Sequence, residues 1–220
     1  GKGHLADAVP LGILNKEWAL YRRFGKRLFD FTASILLLIA IAPLMFALLA
    51  AIAAQGGQPI FAHRRVGRDG RRFFCYKLRT MVVGAEHQLQ ELLARDEAAA
   101  SEWRAGFKLR EDPRVTRFGA FLRKTSLDEI PQIWNVLKGD MSLVGPRPVT
   151  EDELPRYGVH CEAYIAVRPG ITGPWQVSGR NDLSYAERVA LDANYVRSQN
   201  AMLDLDICAR TAKAVLSRTG

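Results

Sequence analysis

The chain has 220 residues and carries 31 Lys and Arg against 23 Asp and Glu, a net charge of +8. That length suits one sizeable core, or one domain with an anchor, and the basic balance suits nucleic acid, an anionic membrane face or phosphorylated substrates. Three isolated cysteines, Cys75, Cys161 and Cys208, never in a CxxC pair, exclude a disulfide framework and a cysteine zinc site.

No cleavable signal peptide is expected at the start, and residues 1–24 read as a lead-in with no assigned function. From Phe31 to Ala54 no residue is charged, and only Thr32 and Ser34 are polar. As a helix this stretch measures about 36 Å, enough for a hydrocarbon core of about 30 Å. A single span is the plain reading, and two features oppose it. Pro43 sits at the centre, where proline removes a backbone bond and forces a kink. Arg22, Arg23, Lys26 and Arg27 precede the stretch, while Arg64, Arg65, Arg68, Arg71 and Arg72 follow it. Positive flanks stay cytoplasmic. A hairpin that bends at Pro43 and returns keeps both clusters inside, and it is favoured over a kinked span.

Beyond the break at Gln55–Pro59, Ile60–Arg65 and Phe73–Leu78 flank an Asp-Gly turn and predict a β-hairpin. One surface helix is expected over Glu86–Arg104, with Leu89, Leu92, Leu93 and Trp103 as its apolar members. Val115, Phe118, Phe121 and Leu122 share a helix face among Arg114, Arg117, Arg123 and Lys124. That pattern fits a helix at a membrane surface and equally an ordinary packed helix with a wet basic face. Ile130, Ile133, Trp134 and Leu137 form an apolar stripe on a helix expected over Ser126–Leu137, with Ser126 and Glu129 as a capping box and Pro131 near its start. Loops follow at Leu143–Pro148 and Arg168–Arg180. Two amphipathic helices close the chain, one carrying Tyr185, Val189 and Val196, the other Leu205, Cys208, Ala212 and Val215.

Asp128 and Glu129 are the candidate chemistry. At a helix start an ionised Asp is favoured, phosphate is attracted, and an Asp carboxylate can attack phosphorus while a neighbouring Glu holds Mg²⁺. Acidic residues are also the ordinary choice for a first helical turn. Arg123, Arg147 in Gly145-Pro146-Arg147-Pro148, Lys77 and Arg79 offer positive charge for phosphate. Gly170–Arg180 combines turn glycines with Trp175, Gln176 and Arg180, as a nucleotide-sugar loop would; a structured loop with Trp175 in the core fits as well. No GxGxxG, P-loop, GxSxG or HExxH is present, and the scattered histidines argue against a metal cluster.

KRLFDF (26–31), the apolar stretch broken at Pro43, YKLRTM (76–81), RKTSLDEIPQIWNVLKGDMSLVGPRP (123–148) and RPGITGPWQVSGRND (168–182) together resemble the bacterial polyprenyl-phosphate sugar-phosphate transferases. EWRAGFKLREDPRVT (102–116) is most similar to the short hexose-phosphate, and in particular galactose-phosphate, members of exopolysaccharide synthesis. The resemblance implies a mainly helical α+β fold: a re-entrant membrane helix–break–helix over 25–58, then a catalytic domain over 59–220 with a small β-hairpin and amphipathic helices on the cytoplasmic face of the bacterial inner membrane. It implies transfer of a hexose-1-phosphate from a UDP-sugar to undecaprenyl phosphate, with Asp128 as nucleophile, Glu129 on Mg²⁺, and Arg123 and Arg147 on phosphate. Many members have Ser before the central proline; here it is Ala42. The alternative is a non-catalytic membrane scaffold of polysaccharide export. No nucleic-acid motif accompanies the charge, and self-association stays open.

Overall fold

The computed structural model describes residues 19–106, 109–179 and 183–217. The chain divides into two contact units. The first comprises Gly1–Ala42, Ala62–Tyr76 and Gln132–Thr219 where described, and the second Pro43–Phe61 and Lys77–Pro131.

A π-helical turn, Tyr21–Gly25, runs into α1, Lys26–Ala53. Helical conformation continues through Pro43, because a proline removes a single backbone donor and the turns on either side can persist. The unit boundary falls between Ala42 and Pro43, so the two arms of α1 belong to different units. Of the most apolar window of this helix only 11% is buried, and Leu36, Ile39 and Phe46 are about 70% exposed. So much bare apolar surface on one helix is what a bilayer covers.

β1, Ile60–Val66, and β2, Arg72–Leu78, form a two-stranded sheet. The expected Asp-Gly turn is present, with Asp69 and Gly70 both in the left-handed region at φ 57° and 71°.

In the first unit, α5 (Gln132–Lys138) leads to β3 (Ser142–Val144), then a 3₁₀ segment at Leu154–His160, α6 (Cys161–Ile165), β4 (Gly170–Thr172), α7 (Tyr185–Ser198) and α8 (Ala201–Leu216). Two stretches expected as plain loops thus contain paired strands. β3 and β4 run parallel, with Ser142 opposite Gly170 and Val144 opposite Thr172. Glycine makes this approach possible: a Cβ at Gly170 would stand 2.1 Å from the Gly145 nitrogen, and one at Gly145 would stand 2.6 Å from the Arg168 carbonyl oxygen.

The apolar face expected on α8 is also corrected. Leu205 and Val215 are exposed, and Asp204 and Ile207 point inward. Polar anchors decide that orientation. Asp204 accepts from Lys26 Nζ at 2.7 Å, from Tyr195 at 2.6 Å and from Tyr21 at 2.6 Å, while Thr211 pairs with Thr172 at 2.8 Å. On α7, Val189 and Val196 are buried as their spacing predicts. Asp30 is 1% exposed and accepts from Ser142 Oγ and the Leu143 amide, tying the first arm of α1 to β3.

In the second unit Leu48 and Ile52, from the other arm of α1, pack with Leu78 and Leu122, flanked by Phe118, Leu127 and Ile130. Where one helix was expected over Glu86–Arg104 there are two, α2 (Ala85–Arg95) and α3 (Glu97–Gly106). Asp96 separates them; its carboxylate accepts from the Ala99 amide, a use of Asp that competes with helix continuation. α4, Arg117–Lys124, starts at Thr116, whose hydroxyl accepts from the Gly119 amide. Leu122 is fully buried, while Phe121 is half exposed. The helix therefore has a packed side and a bare aromatic.

A buried carboxylate sets one pH dependence. Asp192 on α7 is 1% exposed and accepts from the Tyr157 hydroxyl at 2.9 Å. Its Oδ1 gains no full hydrogen bond, although the Arg147 amide leans toward the group. Burial pushes its carboxyl from 3.8 up to about 7, against the hydrogen bond from Tyr157. The folded state thus holds this proton more tightly than the unfolded chain. The contribution of Asp192 to stability should be fullest below pH 4 and decline as pH rises toward 7, by at most about 1.4 kcal/mol per pH unit, then level off. Melting temperatures of the wild type and Asp192→Asn in detergent across this range check it: the variant should lose the slope.

Candidate functional site

Lys77, near the end of β2, and the segment after α4 come together in the second unit. α4 stops at Lys124, and Ser126 enters the left-handed region at φ 57°, an uncommon and strained conformation for a residue with a side chain. The chain then makes a 3₁₀ turn over Leu127–Glu129. Pro131 has no N–H to return to the Leu127 carbonyl, which instead accepts from Ile130, three residues on, at 3.3 Å. The single helix expected over Ser126–Leu137 is therefore a 3₁₀ turn, then Pro131, then α5. Asp128 and Glu129 sit in that separate turn and not in the first turn of α5.

Two further expectations change with it. The Ser126 hydroxyl caps nothing, and Glu129 does not reach back to it. Glu129 pairs instead with Lys77 Nζ at 2.6 Å. The expected stripe on α5 is displaced too. Gln132, Ile133, Asn135 and Val136 are buried, and Trp134 is 56% exposed. Asn135 has polar partners inside, the Tyr76 amide and the Phe74 carbonyl, which a reading of apolar spacing alone does not weigh.

Asp128 is 8% exposed. Burial pushes its carboxyl up to about 6; the Lys77 cation opposes this, the Glu129 carboxylate adds to it, and Arg123 opposes it again. Arg123 is held by its Nε, which donates to Thr80 Oγ1 at 2.9 Å. Lys77, Arg123, Asp128 and Glu129 thus form one electrostatic group: a sheltered carboxylate beside a second carboxylate, between two cations. Such a group can hold a phosphate and present an oxygen nucleophile to it.

Arg79 lies in the second unit as well. Its guanidinium donates to the carbonyls of Gln58, Ile52 and Gly56, closing the C-terminal end of α1. In the first unit, Arg147 follows β3 between two prolines, its Nη1 3.7 Å from Glu153. Arg65 approaches the same carboxylate at 3.8 Å and donates to the Pro148 carbonyl. Burial lowers the pKa of Arg65, and the Arg147 cation lowers it further. Two guanidiniums thus share one carboxylate. In the sequence Arg65 stands out only as part of the basic flank after the apolar stretch. Trp175 and Gln176 form a 3₁₀ turn after β4, with the Arg188 guanidinium 4.7 Å over the indole and Gln176 Nε2 on the Ile171 carbonyl. Arg180 lies outside the described residues.

No three His, Cys, Asp or Glu side chains gather around a common point among the described residues. Mg²⁺ does not require that, since it is commonly held by one or two carboxylates together with substrate phosphates and water. The adjacent carboxylates of Asp128 and Glu129, the latter 35% exposed, fit an ion that arrives with a phosphate.

Residues 21–218 match the family model described as bacterial sugar transferase. The chain belongs to the bacterial sugar transferase family. Among its relatives in that family is an undecaprenyl-phosphate galactose phosphotransferase of Salmonella typhimurium, 52% identical over 97% of this chain and 45% of the relative. A UDP-galactose-lipid carrier transferase of Erwinia amylovora is 50% identical over 90% of this chain and 42% of the relative. An exopolysaccharide production protein of Sinorhizobium fredii is 49% identical over 99% of this chain and 98% of the relative. The chain spans under half the length of the first two transferases and nearly the whole of the third.

Proposed function

We propose that this chain transfers a hexose-1-phosphate from a UDP-sugar to undecaprenyl phosphate, releasing UMP, at the start of exopolysaccharide or O-antigen-type glycan assembly. The observation that carries it is the Asp128–Glu129 turn, with Lys77 on Glu129 and Arg123 nearby, in a chain half identical to a galactose phosphotransferase.

Asp128 attacks the β-phosphorus of the donor. One carboxylate oxygen bonds to phosphorus, the bond from that phosphorus to the bridging oxygen breaks, and UMP leaves with the electron pair. An oxygen of undecaprenyl phosphate then attacks the same phosphorus, and the aspartyl oxygen departs as a free carboxylate. Lys77 and Arg123 hold phosphate oxygens against charge that builds in each step. By the family resemblance, Arg147 is assigned to phosphate; Trp175, Gln176 and Arg180 are assigned to the nucleotide sugar. Glu129, with Asp128, would hold Mg²⁺, which neutralises the diphosphate when bound.

The membrane reading is a re-entrant hairpin over 25–58, after a lead-in at 1–24 and before the catalytic region at 59–220, all on the cytoplasmic face of the inner membrane. Both arms of α1 support it. The first is built into polar structure through Lys26 and Asp30, the second packs through Leu48 and Ile52. No second helix among the described residues is long and apolar enough to carry either set of partners across a bilayer. In a background without Cys75, Cys161 and Cys208, Leu20→Cys and Ile60→Cys should both resist an impermeant thiol reagent in intact cells and react after lysis. Labelling of only one in intact cells would show a spanning helix.

UMP release from UDP-galactose should require both undecaprenyl phosphate and Mg²⁺, with UDP-glucose the next best donor. Transfer only from N-acetylated sugars would reject the hexose assignment; no UMP from any UDP-sugar would reject the reaction.

A further inference from the structure

The first unit contains a cavity of about 570 Å³ that none of the residues proposed above for the transfer reaction lines. Arg22, Arg23, Arg27, Arg68 and Arg168 line it, with Asp30 as the single carboxylate among its lining residues. Lys26 also reaches its wall, but Asp204 neutralises that cation. Asp30 already accepts from Ser142 and the Leu143 amide, and Arg68 meets Asp69 only at 3.7 Å, with both side chains more than half exposed. Arginines thus outnumber carboxylates among the lining residues.

Two of its arginines are held in place by backbone carbonyls. Arg27 donates through both terminal nitrogens to the carbonyls of Val136 and Leu137, and Arg168 donates through Nε to the Gly139 carbonyl. These bonds fix two guanidiniums at the C-terminal end of α5. The cations are also close enough to oppose one another: the pKa of Arg168 is lowered first by burial, then by Arg27 and by Arg68, with Asp30 and Asp69 acting the other way more weakly. Like charges held together in this way are relieved by an anion. A π-helical turn, a geometry common where a helix serves a site, carries Arg22 and Arg23 to the cavity.

Position gives the class of ligand. On the same stretch as Arg22, Arg23 and Arg27, the side chains of Leu20, Phe24 and Leu28 are 73%, 58% and 64% exposed. The basic cavity thus opens where the bare apolar surface of α1 begins, the depth at which lipid headgroups lie. We infer that this cavity is a binding site for a phosphate group, supplied by the headgroup of an anionic phospholipid. Its volume lies within the range of small-ligand sites and admits a glycerophosphate. The inference rests on the membrane placement of α1 and is independent of the transfer chemistry.

The test is native mass spectrometry of the full chain in a neutral detergent, titrated with phosphatidylglycerol, with phosphatidylcholine of the same acyl length, and with inorganic phosphate. Phosphatidylglycerol should bind at least about tenfold more tightly than phosphatidylcholine, and the double variant Arg23→Gln/Arg68→Gln should weaken it about tenfold while keeping the wild-type melting temperature. Inorganic phosphate bound with the same dependence on arginine, without preference between the lipids, would support the phosphate site and assign its source to solution. Equal binding of both lipids without phosphate binding, or phosphatidylglycerol binding unchanged in the variant, would overturn the proposal. Asp128→Asn should bind the lipid as the wild type does, so an error in the reaction assignment leaves this result standing.

Discussion

Asp128→Asn should abolish sugar-phosphate transfer, with a loss on the order of 10⁴-fold or more, as expected when a covalent nucleophile is removed. The amide keeps the shape of the side chain in its 8% exposed site, so a loss of this size would not come from unfolding. An amide oxygen cannot form the acyl-phosphate, and neither Lys77 nor Arg123 can replace it. Glu129→Gln provides the contrast. It removes the partner of Lys77 and one of two carboxylates near the phosphate, so transfer should fall severely but recover in part at raised Mg²⁺. Wild-type chain given UDP-galactose without lipid should gain the mass of a hexose phosphate, mapped to Asp128 by peptide mass spectrometry. Near-normal turnover by Asp128→Asn, or an adduct on another residue, would overturn the assignment.

The second large effect concerns stability. Lys26→Met should cost about 3–5 kcal/mol, the range for removing one partner of a buried ion pair. Asp204 is wholly buried and the Lys26 side chain only 9% exposed, so the remaining carboxylate would stay out of water. Two tyrosine hydroxyls, from Tyr195 and Tyr21, would still donate to it, which places the cost at the lower end of that range. The double variant Lys26→Met/Asp204→Leu should regain much of the loss, because no unpaired charge is left inside. Denaturant unfolding of the four proteins in detergent gives the coupling energy. A cost below about 1 kcal/mol for the single variant would show that the pair contributes no more than a surface ion pair.

Much of the chemistry was legible because it lies close in sequence. Asp128, Glu129 and Arg123 fall within seven residues, and the hairpin that carries Lys77 announces itself by its Asp-Gly turn. Harder to read were features whose cause lies far along the chain. β3 and β4 are three residues each and parallel, so neither shows an alternating pattern; each is held by the other, 28 positions away. The face of α8 is chosen by Asp204 and its partners Lys26, Tyr195 and Tyr21, not by its leucines. The spacing of Ser126 and Glu129 suggests a capping box, with the Glu129 carboxylate on the Ser126 amide, but the stronger attraction of a lysine 52 residues earlier takes that carboxylate. The convergence of Arg27, Arg68 and Arg168 likewise requires three distant segments to meet.

Asn135 illustrates how such a meeting also guards the molecule. It is fully buried; its side-chain oxygen accepts from the Tyr76 amide and its nitrogen donates to the Phe74 carbonyl. Those are two of the backbone groups that an added strand would engage beside β2. A single amide side chain therefore stands in for a third strand and closes an edge that a two-stranded sheet would otherwise offer to any neighbouring chain.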